Sequence, residues 1–419
     1  MALVDLENAQ AAVTDALDVL GVEVIESHLA MGHVTSEAVH SPDQVPPFNN
    51  SAVDGFAVRS SDLPSGYSTL EQSTDLRLVG TVAAGDNPTV VVGEGECVRI
   101  MTGAAMPEGA DAVVMVEDAA AADQAIEDMP AAEIPDGARV RLAGPIAPGR
   151  AVRVAGDDLD SGDIAIASGT ELRPAHIGLL ATVGATKVAV FRKPKVGVLS
   201  TGDELVGDGS ALVRGQIRDS NRAMLLSACA SAGFDAVDLG LIADDEDQIE
   251  RALRDGASRF DALITSGGVS MGDFDFVKAV LARIAEMQWM QIAIKPAKPF
   301  AFGFVDGCPI FGLPGNPVSS LVSFELLALP GLRKLQGNPR LHTLRVPAVL
   351  GEDFKRRADG KTHFVRVVLA KGGDGSLVAV PSGAQGSHQL AASASAEAFA
   401  AIPDGNGLPA GCTVEVMLL

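Results

Sequence analysis

Between residues 195 and 330 short apolar runs alternate with helix-length amphipathic stretches, and few folds accept that alternation. The runs are VGVLS, AVDLGLI, DALITSG and PIFGLPG, each bounded by glycine, as fits buried parallel strands. Helical patterns lie between and after them at 221–233, 246–259, 273–286 and 317–329. Strand and helix in strict turn specify right-handed crossovers and a doubly wound α/β domain. In such sheets ligands bind beyond the carboxyl ends of the strands.

The flanking sequence does not continue the pattern. A chain of 419 residues is too long for one core, so several domains are expected. Leu6, Val13, Leu17 and Leu20 share a helical stripe over 5–20, with Gly21 as its stop, and 22–40 reads as a second, weaker helix. From 51 to 145 short β-like runs (LRLVGTV, ECVRIM, DAVVMVE) alternate with turn residues, and the Ala- and Asp-rich stretch 119–136 reads as a loop. PAHIGLLATVGA, within 146–192, has helical composition. After Gly331 the chain returns to strands: VPAVL, HFVRVVL, SLVAV, FAAI and TVEVMLL predict a small C-terminal β-barrel.

Charge and composition exclude some functions. The net charge of −22, from 54 acidic against 32 basic residues, argues against nucleic acid and against anionic membranes, since both need a basic footprint. An anionic ligand then requires a locally basic pocket. Cys97, Cys229, Cys308 and Cys412 share no metal-ligand spacing and are expected as reduced thiols. MALVDLENAQ lacks the basic and apolar regions of a signal peptide, and no run of about 18 apolar residues occurs, so a cytoplasmic protein is expected.

Three glycine-bearing turns end predicted strands. They are STGDEL (Ser200, Thr201, Gly202, Asp203, Glu204), TSGGVSMGDFD (with Ser266, Gly267, Gly268 and Ser270) and LPGNPVSS (with Pro314, Gly315, Asn316 and Pro317). One such turn is equally well explained by tight chain closure; three in one domain favour an anion cradle built from backbone N–H groups. Asp203, Glu204, Asp244, Asp273 and Asp275 crowd the same turns. At about 4 Å two unit charges interact by roughly 4 kcal/mol at an intermediate dielectric, so a phosphate beside them needs a cation. A hard divalent ion, Mg²⁺ or similar, held by Glu204, Asp244 and Asp275 would bridge acid and phosphate; solvated loop acids are the alternative. KPAKPF is the clearest basic cluster: its prolines predict an extended segment presenting Lys295 and Lys298 to an anion such as phosphate or molybdate, unless they are ordinary surface lysines. VPPFNNSAVDGFAVR, with Asp54 before Gly55, reads as a loop, and neither a Walker A loop nor an HExxH motif is present.

Taken together these strings resemble the MoeA family, which includes the E domain of gephyrin. PPFNNSAVDGFAVR is similar to its PPFDNSAMDGYAVR signature and RIMTGAAMPEGADAVVM to its RIMTGA segment; VLSTGDEL, IRDSN, TSGGVSMGDFD, IKPAKPFAFG, GLPGNPVS and GAQGSH follow in family order over nearly the whole chain. The resemblance implies an elongated dimerisation domain (1–50 with 146–180), a β-rich lobe (51–145), a MogA-like α/β molybdopterin-binding domain (181–332) and a C-terminal β-barrel domain (333–419). It implies a homodimer whose cleft joins the α/β domain of one subunit to the β-rich lobe of the other. The implied reaction converts adenylylated molybdopterin and molybdate to the molybdenum cofactor and AMP with Mg²⁺ or a similar cation, and a MogA-type adenylyltransferase and molybdoenzyme maturation factors are implied partners. By position, Asp54, Asp158, Glu204, Asp244 and Asp275 match its acids, Thr102 its RIMTGA threonine, Lys295 and Lys298 its lysine pair, and Ser387 the serine of QGSH. Asn49, His33, Val53 and Phe56 depart from the family strings, and Asn49 stands where an acid is usual. A MogA-type adenylyltransferase would explain the α/β domain but not SAVDGFAVR; a non-catalytic scaffold would be expected to carry an appended partner-binding segment.

Overall fold

The computed structural model describes residues 2–64, 69–267 and 276–419. They form two compact units. One comprises Met1–Glu37, Ser168–Arg173 and Lys187–Leu419, the other Ala38–Ala167 and Pro174–Thr186.

The first unit holds the α/β sheet. Its strand order is Asp235–Ile242, Lys195–Thr201, Ala262–Ser266, Cys308–Leu313, Pro299–Val305 and Ala285–Gln291. The first four are parallel, Pro299–Val305 runs against them and Ala285–Gln291 pairs antiparallel with Pro299–Val305, so the four runs named from the sequence are the mutually paired parallel strands. Lys195–Thr201 and Ala262–Ser266 are buried almost throughout because helices cover both faces. Asp235–Ile242 is an edge strand and half exposed, contrary to the expected burial. Helices Ser220–Ser231 and Glu246–Arg259 start at Asp219 and Asp245, whose carboxylates accept the N–H groups of Arg222 and Gln248. The helix expected at 273–286 is described from Phe276 to Ile284.

The last helix runs past its expected end. Pro317–Ser323 passes through a π-turn, Phe324–Ala328, into Leu329–Leu335, so the chain does not return to strand after Gly331. Gly331 is a packing residue: a Cβ there would lie 2.8 Å from the Phe311 ring and 3.1 Å from Val13 Cγ1. Pro330 lacks the N–H that would bond the Leu326 carbonyl, and the buried Gln10 Nε2 donates to that carbonyl instead at 2.8 Å.

Gln10 belongs to the N-terminal helix, which covers Leu6–Asp15 rather than 5–20. Beyond it the chain is no longer helical, and the Leu20 N–H pairs with the Leu335 carbonyl instead of an acceptor in its own segment. The second helix expected over 22–40 is absent. Val22–Glu26 is a strand paired with Lys187–Phe191, rich in β-branched residues, and its exposure has period two with Val22, Val24 and Glu26 on the open face.

The C-terminal part is a closed five-stranded barrel in the order Thr362–Lys371, Leu377–Pro381, Arg345–Leu350, Thr413–Leu418, Ala398–Ile402 and back to Thr362–Lys371. Ile294–Lys295 adds a short parallel pairing to its first strand.

The second unit is built on a six-stranded sheet ordered Ala112–Met115, Gly55–Val58, Glu96–Ile100, Thr69–Val82, Arg139–Gly144 and Ala119–Ala121. Phe56, Leu76, Leu78, Val140 and Leu142 form its core. The stretch expected as a loop, 119–136, is largely irregular, with two short 3₁₀ turns, Gln124–Ile126 and Ala131–Glu133, and Ala119–Ala121 paired at the sheet edge. Pro174–Thr182 is helical as expected. All four cysteines are unpaired, and burial pushes the thiols of Cys97, Cys229 and Cys308 up to about 12. No described helix is long and apolar enough to cross a membrane.

Candidate active site

A cavity of about 830 Å³ opens at the carboxyl ends of all four parallel strands, with Thr201, Gly202, Asp244, Ser266, Gly267, Pro314 and Gly315 in its wall. Strand polarity sets this position, since each crossover turn emerges at the same edge. Asn316 and Pro317 continue the wall, and Leu205, Phe276 and Val277 give it an apolar side. The three glycine-bearing turns therefore meet in one place. Gly268, Ser270, Asp273 and Asp275 lie outside the described residues.

Two kinds of chemistry face the cavity. Asn221 Nδ2 donates to Ser266 Oγ and to the Gly315 carbonyl, both at 2.7 Å, tying two turns together. Ser266 thus accepts one hydrogen bond and keeps its own O–H to donate. Asn221 Oδ1 is buried and has no protein partner. Behind this cradle the buried Ser200 donates to Asp219 Oδ1 at 3.1 Å, and Arg222 neutralises Asp219 at 2.8 Å while also pairing with Asp238.

Carboxylates form the other side. The Asp203 N–H donates to Asp244 Oδ2 at 3.3 Å and the Asp244 N–H to Asp203 Oδ1 at 3.1 Å, a reciprocal lock between two crossover turns. Burial, with the charges of Asp203 and Glu204 adding to it, raises the Asp244 carboxyl above its ordinary value. Glu204 curls back over Gly202, whose φ of +142° suits glycine and whose Cβ would meet the Glu204 carboxylate at 2.6 Å. Among the described residues no three His, Cys, Asp or Glu side chains converge as a metal-ligand group. The sequence-derived set of Glu204, Asp244 and Asp275 is described only at its first two members.

Lys295 and Lys298 are both exposed and stand outside the cavity wall, which their neighbour Pro299 joins. The segment is kinked rather than extended throughout: Ala297 has φ +78° between the two lysines. The Ser387 carbonyl accepts the Val318 N–H at 3.1 Å, and His388 beside it lines the cavity. This loop is held by Arg366, 1% exposed, whose guanidinium donates to the carbonyls of Ala384, Gly386 and Gln389 and to Gln385 Oε1. No spacing rule marks Arg366 in a strand; it emerges only once its partners are known. Arg218, Asn221 and His388 were likewise passed over, although IRDSN and QGSH carry them.

Asp54, Thr102 and Asp158 lie in the second unit. Asp54 Oδ1 accepts the Thr102 N–H at 2.7 Å and its hydroxyl at 2.9 Å, and these two bonds hold the exposed Asp54 carboxyl below its ordinary value. Asp158 is exposed in a turn whose Ala155 N–H donates to Asn49 Oδ1 at 2.8 Å. That bond needs only an acceptor oxygen, which an amide supplies as well as a carboxylate, so Asn49 keeps this turn in place.

Family models match in the same order as these parts. The MoeA N-terminal region (domain I and II) matches residues 4–184, a "Probable molybdopterin binding domain" residues 197–334, and the MoeA C-terminal region (domain IV) residues 347–419. The chain belongs to the MoeA family. Curated relatives include the molybdopterin molybdenumtransferase of Haemophilus influenzae, 37% identical over 94% of this chain and 93% of its own length, and that of Bacillus subtilis, 34% identical over 92% and 86%. Among solved structures, a molybdopterin biosynthesis MoeA protein from Pyrococcus horikoshii OT3 covers 100% of both chains with a TM-score of 0.81 and 26% identity. A second, from Pyrococcus horikosii, is 32% identical with a TM-score of 0.76, covering 100% of this chain and 99% of its own.

Proposed function

We propose that this MoeA-family chain inserts molybdate into adenylylated molybdopterin and releases AMP. Family membership makes it a transferase of molybdenum cofactor biosynthesis. The observation that carries the finer reading is one cavity holding both a neutral polar cradle, at Ser266, Gly267 and Asn221, and a carboxylate pair, Glu204 and Asp244. A phosphoanhydride needs both. The Ser266 hydroxyl binds a phosphoryl oxygen, and the unmet Asn221 Oδ1 accepts from a heterocycle amino group.

Glu204 and the half-buried Asp244, whose carboxyl is raised mainly by burial and further by its acidic neighbours, are oxygen-only donors, which fits Mg²⁺ or a similar hard cation. Glu204, Asp244 and Asp275 would hold it, and when bound it neutralises charge on the phosphoryl oxygens. The exposed Lys295 and Lys298 attract the molybdate dianion. A homodimer would bring the ionised Asp54 and Thr102 of a second copy to the cavity mouth, where they orient the ligand. An upstream adenylyltransferase would supply the substrate, and cytoplasmic location fits that supply.

The test incubates purified protein with adenylylated molybdopterin, molybdate and Mg²⁺ and follows AMP. Release requiring all three components is expected; none with all three present would overturn the reading.

A further inference from the structure

The described cavity wall carries three carboxylates, Glu204, Asp219 and Asp244, yet its ligand on the reading above is a polyanion. Arg222 already neutralises Asp219. Arg222 stands outside the wall, and among the described residues the wall's one permanently charged cation is Arg218. It ends the short strand Ile217–Arg218, which pairs in parallel with Leu205–Val206 directly after the STGDEL turn. Its backbone is therefore fixed at the cavity rim beside Glu204, whose carbonyl accepts the Ile217 N–H at 2.8 Å.

The guanidinium is lightly committed. It donates to the Gly209 carbonyl across a long 3.4 Å and senses the exposed Asp208 carboxylate electrostatically. This contrasts with Arg222, which spans two carboxylates, and with Arg366, which is saturated by loop acceptors. A planar fork with unused N–H groups at the rim matches a phosphate geometrically and electrostatically.

We infer that Arg218 is a substrate-binding residue that grips a phosphate oxygen of the bound substrate at the cavity rim beside Glu204. The inference rests on the proposed reading of the substrate as an adenylylated pterin. It goes beyond that reading in naming the cation that offsets the wall's acids independently of any metal. Two phosphates could be the ligand, that of the nucleotide and that of the pterin.

The test uses the full chain with Arg218→Ala and Arg218→Lys, each checked for an unchanged melting temperature. Binding of AMP, of non-adenylylated molybdopterin and of inorganic pyrophosphate is measured by calorimetry without metal, and KM and kcat for AMP release with Mg²⁺. Loss of one charge-assisted contact predicts a rise in Kd and KM of about 10- to 100-fold for Arg218→Ala, with kcat nearly unchanged. Arg218→Lys should recover part of it, since a point charge replaces the fork. Weakened AMP alone assigns the nucleotide phosphate, weakened pterin alone the pterin phosphate. Equal Kd and KM in wild type and Arg218→Ala would overturn the inference while leaving the reaction standing. Pyrophosphate binding lost in Arg218→Ala, from a wild type that releases no AMP, would keep the inference and sink the reaction. A wild type that binds none of the three phosphates sinks the inference.

Discussion

Replacing Asp244 by asparagine separates what this residue does for the reaction from what it does for the fold. Two hydrogen bonds involve Asp244: its N–H donates to Asp203, which any residue can do, and its Oδ2 accepts from the Asp203 N–H, which an amide oxygen can do. The lock between the turns therefore survives. What disappears is one negative charge in a group of three, a charge disfavoured first by burial and then by Glu204 and Asp203. Because the folded carboxyl is raised, the folded state binds more protons than the unfolded state between the two pKa values. The wild type consequently loses stability as pH rises through that window, and above it carries a constant penalty. Asp244→Asn has no such penalty, so it should melt no lower than wild type at neutral pH, the difference closing as pH falls below the unfolded-state value. Activity should move the other way. Removing one electrostatic stabiliser of the reacting centre typically costs about 10²- to 10³-fold in kcat. The assay pairs melting curves across pH with AMP release at saturating Mg²⁺. Wild-type AMP release by the variant, or a variant markedly less stable at neutral pH, would refute the reasoning: the first removes the catalytic role, the second the penalty on the buried carboxylate.

Lys295→Ala or Lys298→Ala should raise the molybdate concentration needed for half-maximal AMP release and flatten its salt dependence while leaving the melting temperature unchanged, since both side chains are exposed; an unchanged molybdate requirement in both variants counts against their role. Gln10→Leu strands the Leu326 carbonyl and should cost about 1–3 kcal/mol, read as faster amide exchange across 324–335; wild-type protection there would show that the carbonyl finds another donor. Light scattering at micromolar concentration should give twice the 43.0 kDa chain mass; a monomer would remove Asp54 from the proposed cavity.

The α/β sheet was legible because its strands are apolar, short and separated by helices with a clear stripe and a cap, as at Asp245 and Glu246–Arg259. Its edge strand was misjudged: AVDLGLI has the composition of a buried strand, but position in the sheet, not composition, leaves Asp235–Ile242 half exposed. Residues 22–26 were misread because a five-residue alternation is too short to stand out beside a weak helical pattern. The return to strands was placed after Gly331, yet Gly331 lies inside the helix as a packing contact, a role that depends on Phe311 and Val13, distant in sequence. In the candidate site the turns could be named because glycine marks them. Asn221 and Arg366 could not: each matters through carbonyls supplied by other segments, Gly315 for one and 384–389 for the other.

The bond from Gln10 to Leu326 also bears on how the chain is made. Its partners are 316 residues apart, so at translation rates of 5–20 residues per second the N-terminal helix waits roughly 15–60 s for the carbonyl it serves. During that interval Leu6 and Val13 lack the core that later buries them. The Ala38–Ala167 stretch of the second unit is contiguous and can begin to fold in the meantime. This helix is thus buried long after it is made, and the nascent chain exposes an apolar stripe that a ribosome-associated chaperone is suited to cover.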